Sequence, residues 1–172
     1  MLIDTAFNVY TDAKGGDPDL TSPTLRSYHK ILWSKSLPNG VRFELSDKTS
    51  GFYLYHISEL GEFSLGSDAI WHTYKKQIRK QWLIKLLPNE VDDFLNKGAT
   101  IGAYTVFPNK KIDGKYTINQ ARGINIFIDD RFDLTLECIR LFYDEQTSPL
   151  YDTFQRYKNF FKLFEINQPL AA

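Results

Sequence analysis

Cys138 is the only cysteine, so no intrachain disulfide can form. Nor does either sign of charge predominate: 21 basic side chains face 21 acidic ones. A broad nucleic-acid binder should be basic overall, so that class is disfavoured. No apolar run approaches the ~20 residues that a bilayer span needs. Ten glycines and seven prolines are too few for a low-complexity or fibrous chain. The start, Met1-Leu2-Ile3-Asp4, has neither the basic segment nor the long apolar stretch of a secretion signal, and a cytoplasmic location is expected.

Familiar catalytic motifs are missing too. Asp113-Gly114-Lys115-Tyr116-Thr117 approaches a phosphate-binding loop, but Asn109 stands where that loop needs glycine, and Tyr116 where it needs Ser or Thr. There is no Gly-x-Gly-x-x-Gly. Ser64 is followed by Gly66 but preceded by Glu62, so the lipase-type nucleophile turn fails. His29, His56 and His72 are far apart and in no ligand-pair spacing; with one cysteine, neither a metal site nor a cofactor is expected.

What is present suffices for a core: 42% hydrophobic and 15% aromatic residues in a 172-residue chain predict one packed domain over residues 1–172. Alternation predicts strands over residues 5–10, 41–45 and 52–57, a short one over 62–65, and a well-formed one over 100–107. The polar run 46–51 reads as a hairpin loop. Ser22-Pro23 pairs an N-cap with proline at the first helical position and opens a helix to about Trp33, with Leu25, Tyr28, Ile31 and Leu32 on one face and His29 within the apolar arc. Ser67 is the next expected cap, opening a helix toward Trp82. A short helix over 90–96 closes at Gly98. Thr117 with Gln120 forms a capping box. Helices over 131–145 and 148–164 complete the chain. The expected architecture is α+β: an antiparallel sheet of four or five strands packed by helices, with a helical C-terminal third.

Three polar features carry the candidate chemistry. On the helix expected after Ser67, His72, Lys75, Lys76, Arg79 and Lys80 flank an apolar stripe of Trp71, Tyr74, Ile78 and Trp82; such a face suits phosphates or is simply solvated. On the helix over 131–145, Asp133, Glu137, Arg140 and Asp144 form one strip, facing solvent or an internal polar site. Ile139, Leu136 and Phe142 should be buried there, and Cys138 reads as a core thiol. In the third, Asn119 and Arg122 project from the same side of a short capped helix. The Arg122 fork suits phosphate or carboxylate, and Asp129 and Asp130 either orient it or cap the next helix.

Several stretches together resemble a known family. They are Ser22-Pro23-Thr24-Leu25-Arg26, Ser67-Asp68-Ala69-Ile70-Trp71-His72, Thr117-Ile118-Asn119-Gln120-Ala121-Arg122-Gly123 and Asp130-Arg131-Phe132-Asp133-Leu134-Thr135-Leu136-Glu137-Cys138-Ile139-Arg140. The resemblance, over about residues 7–164, is to an uncharacterised bacterial family classed as a domain of unknown function. Members of that family continue past the last helix with another aromatic-rich segment, whereas this chain stops at Ala172, so that terminal element is expected to be absent; the resemblance carries no activity or site.

Two functions stay open. One is a non-catalytic binding or regulatory protein gripping a partner through aromatic surface such as Tyr53, Tyr55, Trp71 or Trp82. The other is a phosphate-handling enzyme or binder acting on a nucleotide or nucleic acid. There His29 and His72 are the acid and base, Lys75, Lys76, Arg79 and Arg122 bind phosphate, and Asn119, Asp129 and Asp130 orient. Zero net charge and the missing motifs favour the first.

Overall fold

The computed structural model describes residues 2–37, 39–47, 53–59, 61–69, 86, 88–128 and 131–164. They fall into two compact units, Met1–Phe107 and Pro108–Ala172. Among the described residues there are seven helices and five strands, and no helix is long and apolar enough to cross a membrane.

The first unit opens with α1 (Pro18–Thr21) and α2 (Pro23–Trp33). Ser22 caps α2 as its sequence predicts: its Oγ accepts from the Leu25 N–H at 3.1 Å. The same hydroxyl donates to the Asp12 carboxylate, whose other oxygen takes the Thr24 N–H at 3.1 Å. Burial is the largest single influence on the Asp12 carboxyl and pushes its pKa up, but the bonds from Ser22 and Thr24 together outweigh it and hold it below its ordinary value. The stability this adds is present at neutral pH and fades as pH falls through the folded-state pKa. Ser22→Ala removes both bonds and is expected to cost about 1–2 kcal/mol in a urea melt. Leu25, Tyr28 and His29 are buried, and Leu25 and Tyr28 pack with Val9 and Ile101. Ile31 and Leu32, expected on the same face, are instead exposed, because the last turn of α2 runs past the core.

The expected strand over residues 5–10 is reduced to one bridge, Asn8 with Thr100. Asp4 and Asn8 take the main-chain N–H groups of Ala6 and Tyr10, so local side-chain turns displace a ladder. Next come β1 (Lys35–Ser36), β2 (Arg42–Phe43), β3 (Leu54–Ser58), β4 (Gly61–Ala69), α3 (Pro88–Gly98), a 3-10 turn (Ile101–Ala103) and β5 (Tyr104–Pro108). Hence the single sheet of four or five strands is corrected. β1 and β2 form a two-stranded antiparallel ribbon, with Lys35 opposite Phe43, and β3-β4-β5 form a separate three-stranded sheet.

His56 accounts for the split. Its ring stacks on Phe43 with centroids 4.2 Å apart and sets Nδ1 against the Glu44 carbonyl at 2.8 Å and the Glu44 N–H at 3.2 Å. A side chain thus occupies main-chain groups that a neighbouring strand would pair, and beyond it Ser46 forms an isolated antiparallel bridge with Tyr55. The short strand expected over 62–65 runs over nine residues, from Gly61 to Ala69. Ser67 therefore lies inside β4 and caps no helix; the segment expected to be helical from residue 70 lies outside the described residues.

The second unit holds α4 (Ile118–Ile124), α5 (Phe132–Tyr143), α6 (Tyr151–Arg156) and α7 (Lys158–Phe164). The capping box is present: the Thr117 hydroxyl takes the Gln120 N–H, and the Gln120 side chain takes the Thr117 N–H. The expected helix over 148–164 is broken at Tyr157, whose hydroxyl donates to the Lys110 carbonyl at 2.6 Å. Phe142 lies within 6 Å of the rings of Tyr143 (5.7 Å), Tyr151 (5.9 Å), Phe154 (5.7 Å) and Phe161 (5.3 Å), so α5 packs on α6 and α7 through aromatic edges. On α5, Ile139 is buried as expected, but Leu136 and Phe142 are half-buried. Its charged strip faces solvent, where Arg140 bridges Glu137 and Asp144. Cys138 is a buried thiol whose pKa burial pushes up, so it is a core group and a poor nucleophile.

The helix α5 ends in a Schellman motif. Gln146 N–H reaches the Leu141 carbonyl at 2.8 Å, and Glu145 N–H the Phe142 carbonyl at 3.2 Å, with Glu145 at φ +54°. A side chain is strained there, and Glu145 is exposed. Glu145→Gly is expected to stabilise the protein by about 0.5–1 kcal/mol, read as a higher melting midpoint.

Candidate functional site

Three groupings of polar or exposed side chains compete for a functional role, each within one unit. In the first unit, Asp19 of the one-turn helix α1 is buried at 6% exposure. Its Oδ1 accepts from the Ser67 hydroxyl at 2.6 Å and faces His29 Nε2 at 3.3 Å; its Oδ2 accepts from the Ser67 N–H at 2.6 Å. Its carbonyl takes Arg26 Nη1 at 2.6 Å. Serine, histidine and aspartate thus meet, but not in the order that activates a serine. In a hydrolase triad the histidine stands between the other two and takes the hydroxyl proton. Here the carboxylate stands between them, and His29 Nε2 turns to Asp19. His29 Nδ1 is buried and makes no hydrogen bond with any described residue. The cluster fastens β4 to α1 and α2. His29 is buried, as its place in the apolar arc predicts.

In the second unit Arg122 is completely buried, at 0% exposure. Its Nε donates to the Thr135 hydroxyl at 2.7 Å and its Nη1 to the Asn119 side-chain oxygen at 3.2 Å. Its guanidinium carbon lies 5.7 Å from the Phe132 ring centre, within cation–π reach. The Thr135 hydroxyl passes the chain on to the Arg131 carbonyl at 2.9 Å. Asn119 and Arg122 do share a side of the helix, but that side faces the interior and joins α4 to the first turn of α5. Position Arg131 is the N-cap of α5, without a side-chain cap bond. Asp129 and Asp130, the expected orienting residues, lie outside the described residues. So do His72, Lys75, Lys76, Arg79 and Lys80.

The third grouping was not singled out by sequence reasoning. At the last residue of α4 and just beyond it, Ile124 is 60% exposed, Ile126 85% and Phe127 73%. They project from a turn that Asn125 organises: its Oδ1 accepts the Phe127 N–H at 2.9 Å and the Ile128 N–H at 3.3 Å, while its carbonyl also accepts the Ile128 N–H at 3.1 Å. Ile128, 1% exposed, roots the turn in the core. The available signal was four large apolar residues among positions 124–128, closed by glycine on one side and aspartates on the other, with no element to bury them. Of the aromatic residues expected to form a gripping surface, Tyr53 and Tyr55 are half-buried, and Tyr53 donates to Asp17 Oδ2 at 3.0 Å. Trp71 and Trp82 lie outside the described residues.

Sequence comparison places this α+β chain in a known family. It belongs to a family of unknown function, DUF6994, whose family-wide sequence pattern it matches over residues 3–168. No curated protein and no solved structure matches it.

Proposed function

We propose that the protein is a small non-catalytic binding or regulatory protein that contacts its partner through the apolar turn at residues 124–127. One observation carries this reading: three large apolar side chains stand in solvent on a turn whose main chain is fixed by Asn125 and Ile128. Singly exposed apolar residues are ordinary, but a contiguous set held out on a hydrogen-bonded turn is characteristic of a binding surface. The two polar clusters support it from the other side. Asp19, His29 and Ser67 are committed to one another, and Arg122 to Thr135 and Asn119, so their shared geometry serves the fold. Zero net charge fits a protein partner better than a nucleic acid.

Site-specific photo-crosslinking in living cells tests this. A crosslinking amino acid at position 126 or 127 is expected to give a discrete adduct. The same group at position 137, on the charged strip of α5, should give none. No adduct from 126 or 127, or the same adduct from all three positions, would overturn the reading.

A further inference from the structure

We infer that Asn39-Gly40 is a self-modification site, at which the Gly40 main-chain nitrogen displaces the Asn39 side-chain amide and the residue becomes aspartate or isoaspartate. The pair lies in the turn between β1 and β2. Leu37 N–H donates to the Val41 carbonyl at 2.8 Å, and Gly40 N–H to the Leu37 carbonyl at 2.9 Å. Gly40 takes φ +81°, in the left-handed region that favours glycine. Asn39 and Gly40 are both exposed to solvent.

The reaction needs proximity, access and a donor for the charge that develops. Proximity is covalent: the Gly40 nitrogen is tethered to the Asn39 side-chain carbonyl carbon, and its attack closes a succinimide ring. Access comes from glycine, which has no β-carbon, and nothing lies within 4 Å of where one would stand. The donor is the Val41 N–H, which meets Asn39 Oδ1, the oxygen that gains charge during attack, at 3.1 Å. Two other asparagines share that donor geometry. Asn8 Oδ1 takes the Tyr10 N–H at 3.0 Å, and Asn125 Oδ1 the Phe127 N–H at 2.9 Å. They precede Val9 and Ile126, whose branched side chains crowd the attacking nitrogen. Of nine asparagines only Asn39 precedes glycine.

As the new bond from nitrogen to Cγ forms, the Gly40 nitrogen gives its proton to water. The bond from Cγ to the side-chain NH2 breaks, and that group takes up a proton and leaves as ammonia. Water then opens the ring, its hydroxyl going to a carbonyl carbon and its proton to the nitrogen. Opening at the side-chain carbonyl gives aspartate on an unchanged main chain, and the carboxylate still accepts from Val41 N–H. Opening at the main-chain carbonyl gives isoaspartate. The main chain then runs through the former side chain and is one methylene longer. The turn no longer fits the ribbon, and the pairing of Lys35 with Phe43 and Ser36 with Arg42 is lost.

The test incubates the full-length folded protein for weeks at neutral pH and physiological temperature, then maps its peptides by mass spectrometry. An isoaspartyl methyltransferase marks the isoaspartyl form. The peptide carrying Asn39 is expected to gain one mass unit and to accept methyl groups, while the peptides carrying Asn8 and Asn125 stay unchanged. Gly40→Ala should slow the gain at least about tenfold, because its β-carbon crowds the nitrogen. Alanine is strained at this φ, so Asn39→Gln is the second variant. It keeps the glycine but needs a larger ring, and it should not react. In amide hydrogen exchange the Leu37 and Gly40 N–H groups should lose protection in the isoaspartyl form and keep it in the aspartyl form. No gain at Asn39, or an equal gain at Asn8 and Asn125, would overturn the site. A parental rate in Gly40→Ala would overturn the role of access. Unchanged protection in the isoaspartyl form would overturn the predicted loss of the ribbon.

Discussion

Arg122→Ala is expected to destabilise the protein by about 3–5 kcal/mol, enough to unfold much of the population of a marginally stable chain. Among the described residues the side chain is the largest of those that are fully buried. Truncation opens a cavity between α4 and the first turn of α5. It also removes the donor to the Thr135 hydroxyl, which is left fully buried, and the donor to the half-buried Asn119 oxygen. Arg122→Lys is the sharper comparison. Lysine keeps a charge but has no planar fork, so it cannot repeat the Nε and Nη1 directions together. A loss of about 2 kcal/mol or more is expected for it. Urea denaturation read by tryptophan and tyrosine fluorescence gives both values. If Arg122→Ala lay within about 1 kcal/mol of the parent, the claim that this arginine serves the fold would be wrong.

Asp19→Ala ranks second, at about 3–4 kcal/mol, and acts through what it strands. Three donors converge on that carboxylate: the Ser67 N–H, the Ser67 hydroxyl and His29 Nε2. The first two come from β4, the third from α2. Asp19→Asn separates the electrostatic from the geometric part. An amide accepts with one oxygen and sets its NH2 against a donor, so about 2 kcal/mol is expected to be lost even though the shape is kept. Amide hydrogen exchange adds a local readout: the Ser67 N–H should lose protection in both variants before residues of the Val9–Leu25 core do. A near-parental melt for Asp19→Ala, with Ser67 still protected, would contradict the assignment.

Local chemistry was the legible part of this sequence. The Ser22 cap, the proline after it, the helix end at Trp33 and the Thr117–Gln120 capping box all appear as read, because each is decided within four residues. Burial of His29 followed from its helical phase. What failed was decided at a distance. The pairing of β2 with β1 rather than β3 depends on one histidine ring occupying the Glu44 main chain from twelve residues away. Ser67 looks like a cap in its own neighbourhood, and its N–H does meet a carboxylate, but that carboxylate is Asp19, 48 residues away. No periodicity encodes such a pair. Arg122 shows the opposite limit: its side of the helix was readable, but not whether that side faced water or the interior. The turn at 124–127 was missed because apolar residues next to a helix are read as core, and three of these four are not.

The most direct measurement pairs stability with binding in one protein, the Ile126→Ser, Phe127→Ser double variant. Side chains that stand in solvent contribute little to folding, so its urea midpoint should match the parent within about 0.5 kcal/mol. Its affinity for the polypeptide that crosslinks to position 126 should fall at least about a hundredfold, as two adjacent anchors are removed. A variant that keeps its fold and loses its partner is the result this account predicts. A variant that binds like the parent, or that loses several kcal/mol of stability because the turn is core after all, would contradict it.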